Sequence, residues 1–287
     1  MLNRWCNEIS CINLAFSTLR RLIQQIKIKK TSRGRKPKRE IANYALLIAL
    51  KEFDKRNLRE AEAHLSRLVC KERVDHSVIA YWENKPEMAF LVQRLISIAG
   101  AMLQKELSSL FAFVDATQFT SWTIDEINVT VCNLIANQTV YPIGISFKKG
   151  SVALPVDDAV PEGNGKLYAD AGYDDNKTIE VLFGKGYTPI VCPNKNRWRG
   201  FYRHKARKLY QLRENRLGYR QRGRGESVFG SLTNCYGDRF NAINLYAMQT
   251  RIASRILSYQ LKLIIRCQLK FLCGIIRHAL NCDTYLF

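Results

Sequence analysis

Phe111-Ala112-Phe113-Val114-Asp115-Ala116-Thr117 is an apolar run that ends in a single carboxylate. A short run of this kind reads as a central strand buried on both faces, and the acid that follows is delivered to the end of the sheet rather than into its core. Lys166-Leu167-Tyr168-Ala169-Asp170 repeats the pattern 55 residues further on. Between the two, residues Ile127 to Ile135 and Val140 to Phe147 alternate apolar with polar or small residues and are joined by Asn137-Gln138. That pattern predicts two neighbouring antiparallel strands. Val156 to Val160 has room for one or two helical turns. Asn176 to Lys185 predicts a helix stopped by Gly186, and Thr188 to Cys192, carrying Pro189 and followed by Pro193, predicts an edge strand.

Three strands, a short helical link, a strand, a helix, an edge strand and then helices is the order of a ribonuclease-H-like α/β fold. The expectation is a mixed five-stranded sheet flanked by helices over residues 111–240, with Asp115 and Asp170 on adjacent strands.

The charge of the chain is arranged around these acids. The 287 residues carry a formal net charge of +20, far more than solubility requires, which points to a polyanionic partner. Lys and Arg outnumber acids 21 to 11 over residues 1–110 and 20 to 4 over 181–287, but are outnumbered 4 to 10 over 111–180. Carboxylates gathered between phosphate-seeking flanks suit a held cation, the pattern of a metal-dependent nuclease. Hydrophobic residues make up 47% of the chain, which excludes wholesale disorder. The nine cysteines never form a CxxC pair, so reduced thiols in an intracellular protein are expected rather than a zinc site.

Ahead of the first strand, residues 12 to 28 read as a helix, followed by Lys29-Lys30-Thr31-Ser32-Arg33-Gly34-Arg35-Lys36-Pro37-Lys38-Arg39. This basic arm, with Arg33, Arg35 and Lys36 as its candidate contacts, can run along phosphates or lie in a minor groove. Residues 40–86 read as three short helices, Ile41 to Phe53, Leu58 to Leu68 and about Ser77 to Asn84, with Asn57 and Asp75 as N-caps and Ile79 and Trp82 facing inward. Their arrangement suits an all-α helix-turn-helix-like unit offering His76, Ser77 and Tyr81 to DNA; a plain helical bundle has a similar pattern. A linking helix is expected over 87–110. The apolar stretch Ile256 to Leu280 is broken by Lys262, Arg266, Lys270 and Arg277 at helical intervals, so it reads as an amphipathic helix of a C-terminal region, 241–287, and not as a membrane span. No signal-peptide layout is present at the N-terminus, and the expected location is the cytoplasm, at the nucleoid.

Residues 195–224 contain twelve basic residues and one acid. Arg197, Trp198, Arg199, Arg203 and Arg224 mix here with aromatic rings, which suits a DNA backbone track. The third acid follows in Tyr219-Arg220-Gln221-Arg222-Gly223-Arg224-Gly225-Glu226-Ser227-Val228-Phe229-Gly230. Glu226 stands at the start of a helix whose apolar face is Val228, Phe229 and Leu232. Glu214 and Asp238 are competing acids in the same half of the chain. Asp174 and Asp175 read as N-caps of the helix after them, and Asp115 and Asp170 can each also serve as turn caps.

Val114-Asp115-Ala116-Thr117, then Ala169-Asp170-Ala171-Gly172-Tyr173-Asp174, then Tyr219-x2-Arg222-x3-Glu226 with Val228-Phe229-Gly230 resembles the insertion-sequence DDE transposases of bacteria and archaea, over roughly residues 40 to 260. The resemblance implies that Asp115, Asp170 and Glu226 bind divalent metal, Mg²⁺ or Mn²⁺ as two ions, and that Tyr219 and Arg222 position DNA. It implies cleavage at terminal inverted repeats and strand transfer into target DNA, within a synaptic homodimer. The chain departs from the family in three ways. Thr233 stands where the family has a lysine seven residues past the glutamate, the interval from Asp115 to Asp170 is short, and Gly223 and Gly225 delay the last helix until Glu226.

In-line displacement at phosphorus explains the residue types: hard oxygen ligands on rigid strands suit Mg²⁺, and no histidine or cysteine nucleophile is required. A ribonuclease-H-like nuclease or resolvase that does not rejoin strands, and a non-catalytic DNA-binding protein left by a decayed transposase, are the other readings.

Overall fold

The structure, a computed structural model, describes residues 8–28, 37–107, 111–121, 126–136, 138–149, 156–196, 199–237 and 239–282, with the backbone alone at 8–11, 225–227, 239 and 268–282. Arg33, Arg35, Lys36, Arg197 and Trp198 lie outside the described residues, as does the side chain of Glu226.

Five strands follow the expected order: β1 Phe111–Ser121, β2 Ile127–Ala136, β3 Thr139–Lys149, β4 Lys166–Ala169 and β5 Thr188–Val191. They lie in the sheet as β3-β2-β1-β4-β5, with β1, β2 and β3 antiparallel and β4 and β5 added parallel to β1. This mixed sheet flanked by helices is the ribonuclease-H-like arrangement. Pro189 is tolerated because β5 is the edge. A two-residue strand, β6 Arg239–Phe240, pairs with Thr120 and Ser121 beyond the main ladder of β1.

The front of the chain is helical: α1 Glu8–Ile23, α2 Ile41–Phe53, α3 Leu58–Glu60, α4 Ser66–Cys70, α5 His76–Glu83 and α6 Pro86–Leu107. Asn57 and Glu60 cap α3 reciprocally, each side chain accepting the other's backbone N–H at 2.9 Å, and Asp75 caps α5 through Ser77 N at 2.7 Å. Ile79 is fully buried, and Trp82 stacks on Tyr44 with ring centroids 4.9 Å apart. The helix expected over 58–68 is interrupted by a π-helical turn, Ala61–Leu65. That wide turn carries Glu62 to the start of α5, where its carboxylate accepts from His76 N at 3.0 Å, and Ser66 donates its hydroxyl to the Glu62 carbonyl.

In the second half lie α7 Val156–Ala159, α8 Asn176–Gly184, α9 Phe201–Gln211, α10 Arg213–Tyr219, α11 Glu226–Tyr236 and α12 Leu245–Cys282. The apolar positions Ile256, Leu257, Leu261, Leu263 and Ile264 of α12 are buried, and α12 packs on α2, α6 and β3. Helix α6 is long and apolar enough to cross a membrane by length and composition, with half of that window buried inside the fold. Gly100 lets it lie directly on the β3 backbone, since a Cβ there would overlap the Ile143 carbonyl.

The buried side chains of α2, α6, the sheet and α12 form one continuous cluster. Within it runs a buried ion network. Lys51 on α2 pairs with Glu52 and with Glu83 on α5, each at 2.8 Å; Arg251 on α12 meets Glu83 at 2.8 Å, and Arg255 meets Glu52 at 3.2 Å. Burial alone would raise the Glu83 carboxyl, but Lys51 and Arg251 outweigh it and hold the group below the usual carboxylate range.

Candidate active site

The β1–β4 ladder pairs Phe111 with Lys166, Ala112 with Leu167 and Phe113 with Tyr168, an offset of 55 residues. Two positions further along, the same offset sets Asp115 beside Asp170, which follows the last residue of β4. Neighbouring strands lie about 4.8 Å apart, so the two acids stand side by side where β4 ends. Asp115 itself lies inside β1, opposite Val131 of β2, which corrects the expectation that the first strand stops at its acid: the ladder with β2 carries β1 on to Ser121. Both are partly buried. Asp115 Oδ1 accepts its own neighbour's N–H, that of Ala116, at 3.0 Å, and Asp170 Oδ1 accepts from Gly172 N at 2.9 Å, capping a 3-10 turn over Ala171–Tyr173. That turn places the buried Tyr173 close to both acids. Burial, reinforced by Asp170 and Asp115, pushes its phenol well above the ordinary value, so it stays neutral.

Tyr219 ends α10, and a 3-10 segment, Arg220–Gly225, carries the chain from there to α11. Arg222 in this segment reaches Asp115 Oδ1 with Nη1 at 3.4 Å, and its guanidinium lies 5.8 Å from the centroid of the Tyr219 ring. Burial disfavours the Arg222 charge, but Tyr219, Asp115 and Asp170 outweigh that effect and raise its pKa. Burial, with Cys192 and Asp170 nearby, pushes Tyr219 to about 12 against the opposing pull of Arg222. The ring also packs edge-on against Tyr210, centroids 5.4 Å apart. Helix α11 starts at residue 226, four residues beyond Arg222, as the glycines before it require. The backbone of the third acid therefore follows directly from a segment that touches Asp115. Its competitor Glu214 is exposed and paired with Lys166 at 3.1 Å, and Asp238 lies outside the described residues.

The remaining sequence candidates are dispersed. Arg199 and Arg224 are exposed. Arg203 is turned inward, its Nε donating to the Asp174 carbonyl at 3.0 Å and pairing with Asp174 Oδ1 at 3.2 Å. That partnership corrects the reading of Asp174 as an N-cap. Its carboxylate is buried, accepts from Asn194 N at 2.8 Å and lies 3.6 Å from Arg207, while the cap of α8 is Asp175 alone, through Thr178 N at 3.2 Å. In the front unit Tyr81 is exposed with Lys85 over its ring at 4.4 Å. Ser77 is bonded to Asp75, and His76 Nδ1 meets Glu62 at 2.7 Å.

Glu62, Asp75 and His76 form the group of potential metal ligands found among the described residues. Its donors are already engaged: Arg73 and His76 take the two oxygens of Glu62, and Asp75 caps α5. Such a cluster holds a helix start in place. Asp115 and Asp170, partly buried hard oxygen donors from adjacent strands, fit a divalent cation better.

Sequence reading missed Tyr173, whose residue stood in the quoted motif but whose place beside both acids depends on the 3-10 turn that Asp170 caps. It also missed the Arg203–Asp174 pair, which joins positions 29 residues apart across the start of α8.

Residues 151–261 match a family model described as the transposase DDE domain. No curated protein and no solved structure matches the chain. The matched stretch contains Asp170, Tyr219, Arg222 and Glu226 but begins after Asp115, which joins them through the strand register. Residues 151–261 are thus similar to the transposase DDE domain, the family that the order of the acidic motifs also resembles.

Proposed function

We propose that the protein is the transposase of an insertion sequence, which binds double-stranded DNA at the terminal inverted repeats of its element, cuts it and joins the released end to target DNA. The observation that carries this reading is the placement of Asp115, within β1, beside Asp170, at the end of β4, with Arg222 and Tyr219 against them. A DNA-binding regulator has no use for two aligned acids on adjacent strands.

Divalent metal is general to the family. Here Asp115, Asp170 and Glu226 would hold two Mg²⁺ or Mn²⁺ ions. When bound, such ions lower the pKa of an attacking oxygen and stabilise the leaving one. Arg222 has a guanidinium that matches phosphate bidentately, and its proximity to Asp115 supports a role in fixing the phosphate beside the acids. The Tyr219 ring, half-buried, backs that guanidinium and limits the freedom of the Arg222 side chain. Tyr173, neutral and buried, keeps water from the inner side of the carboxylates.

Residues 40–86 serve as the DNA-reading unit in this account, with Tyr81 exposed on α5 and Lys85 half-buried on the turn after it, and the arm of Arg33, Arg35 and Lys36 extends the contact. Arg197, Trp198, Arg199 and Arg224 supply backbone contacts near the site. The protein acts as a homodimer that pairs two element ends, in the cytoplasm where the DNA is. The test is Mg²⁺-dependent nicking of a duplex carrying the terminal repeat, followed by joining to a target plasmid. Nicking and joining by the wild type, both lost in Asp115→Ala, support the proposal; nicking without joining points to a nuclease or resolvase, and nicking unchanged in Asp115→Ala sinks it.

A further inference from the structure

Three cations converge on one aromatic ring at the far end of α11. Lys55 Nζ lies 5.5 Å from the centroid of the Tyr236 ring, Lys262 Nζ 5.7 Å from it, and the Arg255 guanidinium 5.2 Å. They come from three places: Lys55 from the turn between α2 and α3, Lys262 and Arg255 from α12, and Tyr236 from the last residue of α11. Arg255 is committed, paired with Glu52 at 3.2 Å and stacked on Phe240 at 4.0 Å. The two lysines meet aromatic rings, Lys262 also lying 5.6 Å from the Phe53 centroid, but no counter-charge. Glu52 is shared between Lys51 and Arg255, Asp54 is taken by Arg56 at 2.6 Å, and neither Lys55 nor Lys262 has an acidic partner among the described residues.

Ammonium groups gathered without counter-charge cost stability. Burial, with Lys55 nearby, pulls the Lys262 pKa below its ordinary value, and only Cys235 offsets this in part. Lys55 is held in a left-handed backbone conformation, φ 55°, uncommon outside glycine. Such an arrangement calls for an anion from outside the chain. Tyr236 lies ten residues along α11 from Glu226, roughly 15 Å at helical rise. That is within half a helical turn of duplex DNA from the candidate site. Lys55 belongs to the helical front unit and Lys262 to the helix that packs it on the sheet, so the pair stands between the two regions expected to touch DNA. Helix α11 also carries Thr233, whose hydroxyl is turned back on the Phe229 and Gly230 carbonyls at 3.1 Å and offers no charge.

We propose that Lys55 and Lys262, gathered around Tyr236, form a binding site for backbone phosphates of the DNA bound at the active site, supplying the cationic contact that position 233 lacks. The proposal rests on the transposase reading, and the following experiment separates the two. Binding of a fluorescent duplex carrying the terminal repeat is measured by anisotropy over a range of salt for the wild type, Lys55→Ala, Lys262→Met and the double variant, together with alkylation of the exposed Cys235 in the wild type, read by mass spectrometry with and without DNA. The expected result is a fall of about one in the salt slope per lysine, about two for the double variant, and a roughly five- to ten-fold loss of affinity for each. DNA is expected to protect Cys235. Wild-type binding with an unchanged slope in the double variant, or with Cys235 alkylated at the same rate, overturns the phosphate site and leaves the transposase reading intact. No salt-dependent DNA binding by the wild type overturns both.

Discussion

Gly218 lies so close to the Tyr168 hydroxyl that a Cβ at position 218 would overlap it. Tyr168 is buried in β4, two residues before Asp170, and stacks on Phe111 of β1 with centroids 6.2 Å apart. Gly218 precedes Tyr219, so this contact sets how closely the segment carrying Tyr219 and Arg222 approaches Asp115 and Asp170. Gly218→Ala is expected to move that segment outward and to lower nicking about 10²-fold, as sub-ångström misplacement of a catalytic set does. Tyr168→Phe removes the obstructing oxygen but leaves the ring Cζ at 2.9 Å, so Gly218→Ala/Tyr168→Phe is expected to recover part of the loss. A double variant no better than Gly218→Ala contradicts this account of the contact.

Arg222→Ala removes the guanidinium beside Asp115, and Arg222→Lys keeps the charge but loses the planar fork. Both are expected to reduce nicking, by about 10²- to 10³-fold for alanine and somewhat less for lysine. Tyr219→Phe preserves the ring that backs Arg222 and is expected to fall well short of Tyr219→Ala in effect. Single-turnover rates on the terminal duplex decide between these outcomes; equal loss in Tyr219→Phe and Tyr219→Ala would place the function in the hydroxyl instead.

Glu83 joins Lys51 and Arg251 inside the core, and Glu83→Gln leaves both cations with reduced compensation. A cost of about 3–5 kcal/mol is expected at pH 7, read from urea unfolding. The folded-state pKa of Glu83 is depressed, so its contribution is present above the unfolded carboxylate range, near about 4.3, and is lost as the pH falls through the folded value. The gap between wild type and Glu83→Gln is therefore expected to narrow below pH 4. A gap that stays constant down to pH 3 contradicts the assignment.

Much of the fold is legible in the sequence because it is written in local patterns. The apolar run ending in Asp170, the Asn57 and Asp75 caps and Pro189 on an edge strand each depend on a few consecutive residues, and each stands where the pattern puts it, whereas the run at Asp115 does not stop at its acid, because β1 continues through Ala116–Ser121 paired with β2. Glycines at 223 and 225 likewise delay α11 until residue 226. What escaped depends on distance along the chain. Glu83 and Arg251 are 168 residues apart, Glu52 and Arg255 are 203 apart, and nothing in either neighbourhood announces the other. Arg203 looked like one more cation in a basic track, and only the backbone path around Asp174 turns it inward. The π-helical turn at Ala61–Leu65 has no periodic signal of its own, since one inserted residue leaves the apolar spacing on either side intact.

The central claim is that Asp115, Asp170 and Glu226 gather at one divalent cation site. It is tested most directly by loading the DNA-bound protein with Fe²⁺ in place of Mg²⁺, adding ascorbate and peroxide, and mapping where the polypeptide is cut. Cuts clustered near residues 115, 170 and 226, all lost in Asp115→Asn and suppressed by excess Mg²⁺, are the predicted result. Cuts clustered instead around Glu62, Asp75 and His76, or a pattern unchanged by Asp115→Asn, would contradict it.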